Sequence, residues 1–376
     1  MVIGLLKETV DDNRVALMPE HIIDLLKNED LKVLVEDNAG IASFINNEQY
    51  KDAGAQILNK KDILDKSDLI VKVNGLDVET IKNLDDSKVL VSVFNPFHNL
   101  EKVKVLCDKK ISSFSLDLIP RTSSRGQSMD ILSSMATVAG YKAVLTAAAN
   151  NSKFFPMLMT AAGTIKPAKV LILGAGVAGL QAIATAKRLG AVVYAFDVRA
   201  AVKEQVESLG GRFVEVEGAK EDASAGGYAI EQSEEYKSKQ AQLIHDHAIS
   251  SDIIITTAQI PGKKAPLLIQ KETVESMKSG SVIVDLAAST GGNTAMTKNN
   301  ETVDYNGIKI IGNSNFPSEL STDASKMFGK NVSNFVKLMI AEQGKLNINF
   351  EDELIAGTCL TYDGKVLNER VEKMLN

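Results

Sequence analysis

The stretch KVLILGAGVAGLQAIATAKRLGAVVYAFDVR, residues 169 to 199, restricts the fold more than any other part of the chain. A five-residue apolar run enters three glycines spaced GxGxxG, a helical pattern leaves them, and a second apolar run stops at an acid. That order describes a strand, a tight turn, a helix and a parallel second strand. Gly174 permits the turn, Gly176 lets a pyrophosphate approach the backbone, and Gly179 lets the helix pack on the strand. The helix N-terminus offers amide N–H groups and a favourable dipole to phosphate. Asp197 follows Gly174 by 23 positions, where such units carry the acid that bonds a ribose 2′-hydroxyl. Its charge repels a 2′-phosphate, so NAD is favoured over NADP, although Arg199 stands where an arginine can accommodate that phosphate. The competing reading is a glycine-rich turn of some other α/β fold. The same unit explains Val170 to Ala186, 17 residues without a charge. That is the lower limit of a membrane span, roughly 17–25 residues, and three glycines, a Gln and a Thr interrupt it.

Before this unit, short apolar runs (VIGLL, KVLVE, LIVKV, KVLVSVF, ISSFSLDLI) alternate with helix-like segments (MPEHIIDLLKN, DVETIKNL, NLEKVKVLCDK) over the first 120 residues. The rhythm predicts βα units on a parallel sheet. ILSSMATVAGYKAVLTAAAN predicts a long helix whose small residues let other elements approach closely. A second β/α series runs from Lys169 to about Gly312. The tail TDASKMFGKNVSNFVKLMI is amphipathic, with Met327, Phe328, Val332, Phe335 and Met339 near helical spacing. The two long helices read as struts between two α/β domains, the tail returning to the first. TYDG at 361 to 364 predicts a terminal hairpin turn.

Two segments fit neither series. RTSSRGQSMD, 121 to 130, holds two arginines, a glutamine and an aspartate with no Val, Ile, Leu or Phe. It is either a solvated linker or a loop that holds an amide and a ribose against a partner. Between RFVEVE and a helix around Gln240 lies GAKEDASAGGYAIEQSEEYKSK, too long for an ordinary αβ connection of roughly 2–6 residues. It is a solvated surface loop or a lid that closes Tyr228, beside Gly226 and Gly227, over the cofactor.

Of four histidines, His245 and His247 are two apart on a predicted helix and do not share a face, so no metal site is expected. His21 falls in an amphipathic segment and is expected to be structural. A dehydrogenase of alcohols or amino acids needs a positioned acid or base. No histidine lies near the fingerprint or the 121–130 loop, though Lys7 or Lys72 could serve. Hydride exchange between two nicotinamides needs no such group. A net charge of −6 gives no reason to expect nucleic acid or an anionic membrane as partner. The two cysteines form no metal or disulfide pattern, which predicts a reducing compartment. The N-terminus lacks the basic region of a signal peptide.

RGQSMD, AGYKAV, MTAAGTIKPAKVLILGAGVAGLQAIATAKRLGA, DVRAAVKEQVESLGG, the GGYA segment, TTAQIPGKKAPLLI and GSVIVDLAASTGGN together resemble the NAD(H)-binding component, domain I, of the proton-translocating nicotinamide nucleotide transhydrogenases. The resemblance covers essentially the whole chain, and RGQS and GGYA set it apart from the related alanine dehydrogenases. It implies two doubly wound, Rossmann-like parallel-sheet domains joined by long helices, residues 1–131 with 323–376 and residues 132–322. It implies NAD(H) bound between them, no metal, and hydride transfer to or from NADP on a partner subunit. A homodimer is implied, peripheral on the cytoplasmic side of an inner membrane whose spanning subunits carry the proton path.

Residue by residue, Gln127 and Asp130 match the family's loop directly. Asp130 is expected to hold the carboxamide, and Gln127 to reach the ribose of the partner's nucleotide. PRTSSRGQ is one residue longer between its arginines than the family pattern, so the loop arginine is assigned to Arg121, with Arg125 as the alternative. Ser128 and Ser133 follow in the same stretch. Val177, Asp197, Val198, Arg199, Gly227 and Tyr228 match positions that contact NAD. NPFHN, 95 to 99, departs from the family, and His98 there is expected to be structural. KETVDDNRVALMPE is also close to alanine dehydrogenase, in which Arg14 and Lys72 would bind substrate carboxylate. The position of that enzyme's catalytic histidine reads Asn95 here, against amino-acid oxidation. Alanine dehydrogenase and a non-catalytic NAD(H)-sensing module are the alternatives.

Overall fold

The structure, a computed structural model, describes residues 1–28, 30–121, 123–216, 233–260 and 262–375. Two compact units divide the chain, Met1–Met135 with Pro317–Asn376, and Ala136–Phe316.

In the first unit the early apolar runs become β1 (Val2–Leu5), β2 (Lys32–Glu36), β3 (Gln56–Leu58), β4 (Leu69–Asn74), β5 (Val89–Val93) and β6 (Ser112–Ser115). They pair in parallel in the order β3-β2-β1-β4-β5-β6, so the order reverses between β1 and β4. Leu69, Ile70, Val71 and Val73 of β4 are all buried. A central strand covered on both faces reads as a continuous apolar run rather than an alternating one.

The tail helix Ser321–Leu338 lies wholly within this unit. Phe328, Val332, Phe335 and Val336 are fully buried with Val71, Val91 and Phe114 of the sheet. Each such side chain contributes about 1.5–3 kcal/mol. Phe335 meets the Phe114 ring at 5.9 Å between centroids.

In the second unit a hairpin, β7 (Leu158–Thr160) and β8 (Gly163–Ile165), precedes a seven-stranded sheet. Its strands are β9 (Lys169–Leu173), β10 (Val192–Phe196), β11 (Arg212–Phe213), β12 (Ile253–Thr256), β13 (Val282–Asp285), β14 (Glu301–Tyr305) and β15 (Ile308–Gly312). The order is β11-β10-β9-β12-β13-β15-β14, parallel except for β14. Reversal between β9 and β12 puts a switch point directly beyond the fingerprint strand. Ligands of open α/β sheets bind there, outside the carboxyl ends of the strands.

Both sheets therefore have the doubly wound order, and the differences from the sequence expectation lie at the edges. β14 is antiparallel, and β16 (Cys359–Tyr362) with β17 (Lys365–Val366) adds an antiparallel hairpin beside β6. Asp363 and Gly364, both at positive φ, make its two-residue turn. RFVEVE yields only the two-residue β11, although Val214 and Val216 are buried beyond it. The uncharged 17-residue stretch is β9, the glycine turn and most of helix Val177–Arg188. Among the described residues, helix Ile131–Asn150 is long and apolar enough to cross a membrane by length and composition. Its Ala143, Val144 and Ala147 are fully buried in the second unit's core.

Candidate functional site

Each fingerprint glycine has a steric reason to be glycine. Gly174 has φ +101°, and a Cβ there would lie 2.5 Å from Thr257 Oγ1. At Gly179 a Cβ would sit 1.9 Å from the Gly174 carbonyl oxygen, which lets helix Val177–Arg188 lie on the turn. Gly176 differs: among the described residues an added Cβ would meet only Arg199 Nη2, at 4.0 Å. The backbone there lines open space, as a cradle for pyrophosphate requires. The first bond into the helix runs from Leu180 N to Gly176 O, so the amides of residues 177 to 179 belong to its unpaired first turn. Val177 presents a partly exposed apolar side chain at the same end.

Asp197 ends β10 and is buried to 9% exposure. Its Oδ2 accepts from Ala175 N at 2.7 Å and Oδ1 from Arg199 N at 2.9 Å. The Arg199 guanidinium closes on the same carboxylate through Nε (2.8 Å) and Nη2 (2.7 Å). These bonds to Asp197 raise the Arg199 guanidinium above its ordinary pKa despite its partial burial. Val198 packs at the rim of the apolar cluster that contains Phe196 and Tyr236. Gly227 and Tyr228, with the lid assigned to them, lie outside the described residues.

Four residues to which the sequence assigned no role complete this end of the sheet. Thr257 Oγ1 donates to the Gly174 carbonyl at 3.0 Å. A Cβ on Gly140 would lie 2.1 Å from the Ala178 carbonyl, so helix Ile131–Asn150 meets the fingerprint helix backbone to backbone. Fully buried Asn293 accepts from Ala258 N and donates to the carbonyls of Ala258 and Pro266, holding the loop after β12. Asp285, also fully buried, accepts from the amides of Ala287, Asn293 and Thr294 and from Thr297 Oγ1. The motifs TTAQIPG and STGGN hold Thr257 and Asn293, but no periodicity or spacing assigns their bonds.

The first unit builds a second polar group from the 121–133 loop. Asp130 is buried to 6% exposure and accepts from Arg121 Nε at 2.8 Å. It also accepts from Ser133 N (2.9 Å) and Ser133 Oγ (2.6 Å), while Arg121 Nη2 donates to Ser133 Oγ at 2.8 Å. Burial would raise the Asp130 carboxyl, but the bonds from Ser133 and Arg121 outweigh it and hold the group below its ordinary range. It is an ionised acceptor at neutral pH. Arg125 goes elsewhere, with Nη2 at 2.6 Å from Asp352 Oδ2. Of the two arginines, Arg121 therefore keeps company with Asp130. Gln127 is exposed in the short 3-10 turn Gly126–Met129, and Ser128 Oγ closes locally on the Arg125 carbonyl at 3.1 Å.

The cations that alanine dehydrogenase would turn to a substrate carboxylate have carboxylates of their own here. Lys72 Nζ lies 2.7 Å from Glu8 Oε2, and Arg14 Nη2 lies 2.5 Å from Asp12 Oδ2. Asn95, at φ +48°, bonds His98 Nδ1 at 3.0 Å in an exposed turn. His21 is buried, its Nδ1 accepting from Met18 N. His245 Nδ1 pairs with Thr273 Oγ1, and His247 packs against Tyr194. No group of three or more His, Cys, Asp or Glu able to hold a metal occurs among the described residues.

A doubly wound pair of units, one with a dinucleotide turn at its switch point, defines an NAD-binding class of oxidoreductase fold. The chain belongs to the alanine dehydrogenase/PNT family, whose N-terminal domain matches residues 4–139 and whose C-terminal domain matches residues 143–369. Within that family it is 45% identical over 368 residues to the first of the two polypeptides that make up the NAD(P) transhydrogenase alpha subunit of Rhodospirillum rubrum, covering 95% of each chain. It matches the crystal structure of a transhydrogenase from Sinorhizobium meliloti with a TM-score of 0.89 and 40% identity, over 97% of this chain and 100% of that one. The alanine dehydrogenase of Bacillus subtilis is more distant, 29% identical over 387 residues, covering 100% of this chain and 95% of that one.

Proposed function

We propose that this chain is the NAD(H)-binding subunit of a proton-translocating NAD(P) transhydrogenase, exchanging hydride between NADH and NADP held by a partner subunit. The observation that carries the reading is the end-to-end match, at 45% identity, to the Rhodospirillum rubrum transhydrogenase alpha polypeptide. The site chemistry supports it. Hydride passage between two nicotinamides moves no substrate proton, so the protein's task is placement and electrostatics rather than acid–base work. Gly174, Gly176 and Gly179 cradle the pyrophosphate of NAD(H), Asp197 takes the ribose hydroxyl, and Arg199, Val177 and Val198 border them. Gly227 and Tyr228 are assigned to the lid on the resemblance alone. When bound, NADH supplies the hydride. Asp130, fixed and kept ionised by Arg121 and Ser133, accepts from the carboxamide, while exposed Gln127 faces the partner's nucleotide. Such a subunit works as a homodimer, on the cytoplasmic face of a membrane complex whose other subunits carry the proton path.

The paired states of Lys72 and Arg14, with asparagine at position 95, disfavour alanine as a substrate. The purified chain is therefore expected to bind NADH in a fluorescence titration and to form no NADH from alanine and NAD. Alanine-dependent NADH formation would overturn the assignment in favour of an alanine dehydrogenase.

A further inference from the structure

Gln127 projects from a turn too short to fix itself. A four-residue 3-10 segment has few internal bonds, and its geometry is poorer than that of an α-helix. The surrounding chain supplies what the turn lacks. On one side of Gln127, Gly126 has no room to shift: a Cβ there would lie 2.2 Å from the Pro120 carbonyl oxygen. On the other side, the Ser128 carbonyl accepts two amides from the tail helix, Asn331 Nδ2 at 2.9 Å and Asn334 Nδ2 at 3.0 Å. Those two donors, three residues apart, stack on one helix face and use both lone pairs of a single oxygen. Further back, Ser123 Oγ bonds Glu353 at 2.6 Å and Arg125 bonds Asp352.

Asn331 is an expensive residue for packing alone. It is buried to 6% exposure, and its Oδ1 finds no donor among the described residues. An apolar side chain would fill the same place without an unsatisfied acceptor. What an apolar side chain cannot do is hold the Ser128 peptide, and with it the direction of the Gln127 side chain.

We propose that Asn331 and Asn334 are positioning residues for Gln127, fixing the turn so that the exposed glutamine meets an approaching nucleotide in one orientation. The inference rests on the reading of Gln127 as the partner-facing residue of hydride transfer. Neither asparagine is assigned a contact with cofactor; both act through the Ser128 carbonyl. Displacing a reacting group by about 1 Å can cost on the order of a hundredfold in rate, so loosening the turn acts on transfer and not on NADH binding.

The test compares Asn331→Ala, Asn334→Ala and the pair, each with and without Gln127→Ala, in the full chain reconstituted with an NADP-binding partner. Asn334 is only half-buried, and alanine is a strong helix former, so Asn334→Ala leaves a folded protein even if Asn331→Ala does not. The asparagine variants should cut single-turnover transfer roughly tenfold or more, with NADH affinity within about twofold of the parent. In the Gln127→Ala background they should change transfer by less than about twofold, because the residue they position is gone. Effects that multiply across the two backgrounds, or no loss of transfer, overturn the proposal.

Amide hydrogen exchange of the chain alone keeps this separate from the functional reading. The variants should speed exchange in residues 126–130 and leave the fingerprint turn unchanged. If the parent chain transfers no hydride, the functional reading fails. Unchanged exchange in 126–130 would then remove the anchoring role as well, whereas faster exchange would leave anchored a turn whose purpose is not transfer.

Discussion

Sequence legibility differs residue by residue, and the reason is steric. A fingerprint glycine is required by its own backbone or by an atom a few residues away, so its role can be read locally: Gly174 from its turn, Gly179 from the Gly174 carbonyl. The choice between Arg121 and Arg125 is not local. Asp352, which takes Arg125, is more than two hundred residues distant in sequence, and spacing cannot reveal it. Thr257, Asn293 and Gly140 were hidden for the same reason. Asp197 stands between these cases, since its position marks the ribose acid but nothing in the sequence says that it also anchors Ala175 N. That bond decides how the residue is tested. Asp197→Ala would leave a buried amide without its acceptor and blur the result. Asp197→Asn keeps an acceptor and removes the charge. Native chain is expected to bind NADH much more tightly than NADPH, and Asp197→Asn to narrow the difference by roughly tenfold, about 1.4 kcal/mol. Paired titrations of both nucleotides check it, and an unchanged ratio would mean that Asp197 does not set the choice.

Among elements, long periodic ones were legible and edge strands were not. Helices Ile131–Asn150 and Ser321–Leu338 follow runs whose pattern needs no partner to be recognised. β3, β7 and β8 are three residues each, and their pairing depends on neighbours that a short run cannot specify. The joint between helices Pro19–Leu25 and Ser321–Leu338 carries a pH-dependent contact. His21 Nδ1 accepts the Met18 amide, and a Cβ on Gly329 would come within 2.3 Å of that nitrogen. Burial lowers the His21 pKa, with Lys330 adding to the effect and Glu20 and Asp24 opposing it. The unfolded chain then binds the proton more readily than the folded one. Stability is full above the unfolded value near 6.5 and declines as pH falls from there toward the lowered folded value. The melting temperature should fall over that window, and His21→Gln should flatten the decline. A glutamine at this third helical position can reach back to the same amide without titrating. Parallel thermal melts of the two proteins from pH 7 to 5 decide it; equal slopes would show that His21 is not the group responsible.

For the whole molecule, the sequence rhythm made two doubly wound sheets legible because a central parallel strand writes its burial into a continuous apolar run. What no rhythm conveys is chemistry. Two Rossmann-ordered units are compatible with amino-acid oxidation, with hydride exchange and with nucleotide sensing, and fold alone does not choose among them. The choice here depends on an ionised, hydrogen-bonded Asp130, cations already matched to Glu8 and Asp12, and an exposed Gln127. Together they suit a site that places two nicotinamides and handles no substrate proton. The direct measurement is isotopic. NADH carrying deuterium at the transferred C4 position is mixed with this chain and an NADP-bound partner domain in ordinary water, and the NADPH formed is weighed by mass spectrometry. One deuterium should be retained in each NADPH, and NADPH should form only when this chain is present. NADPH that carries hydrogen from solvent, or none at all although NADH is fully bound, would contradict direct hydride exchange.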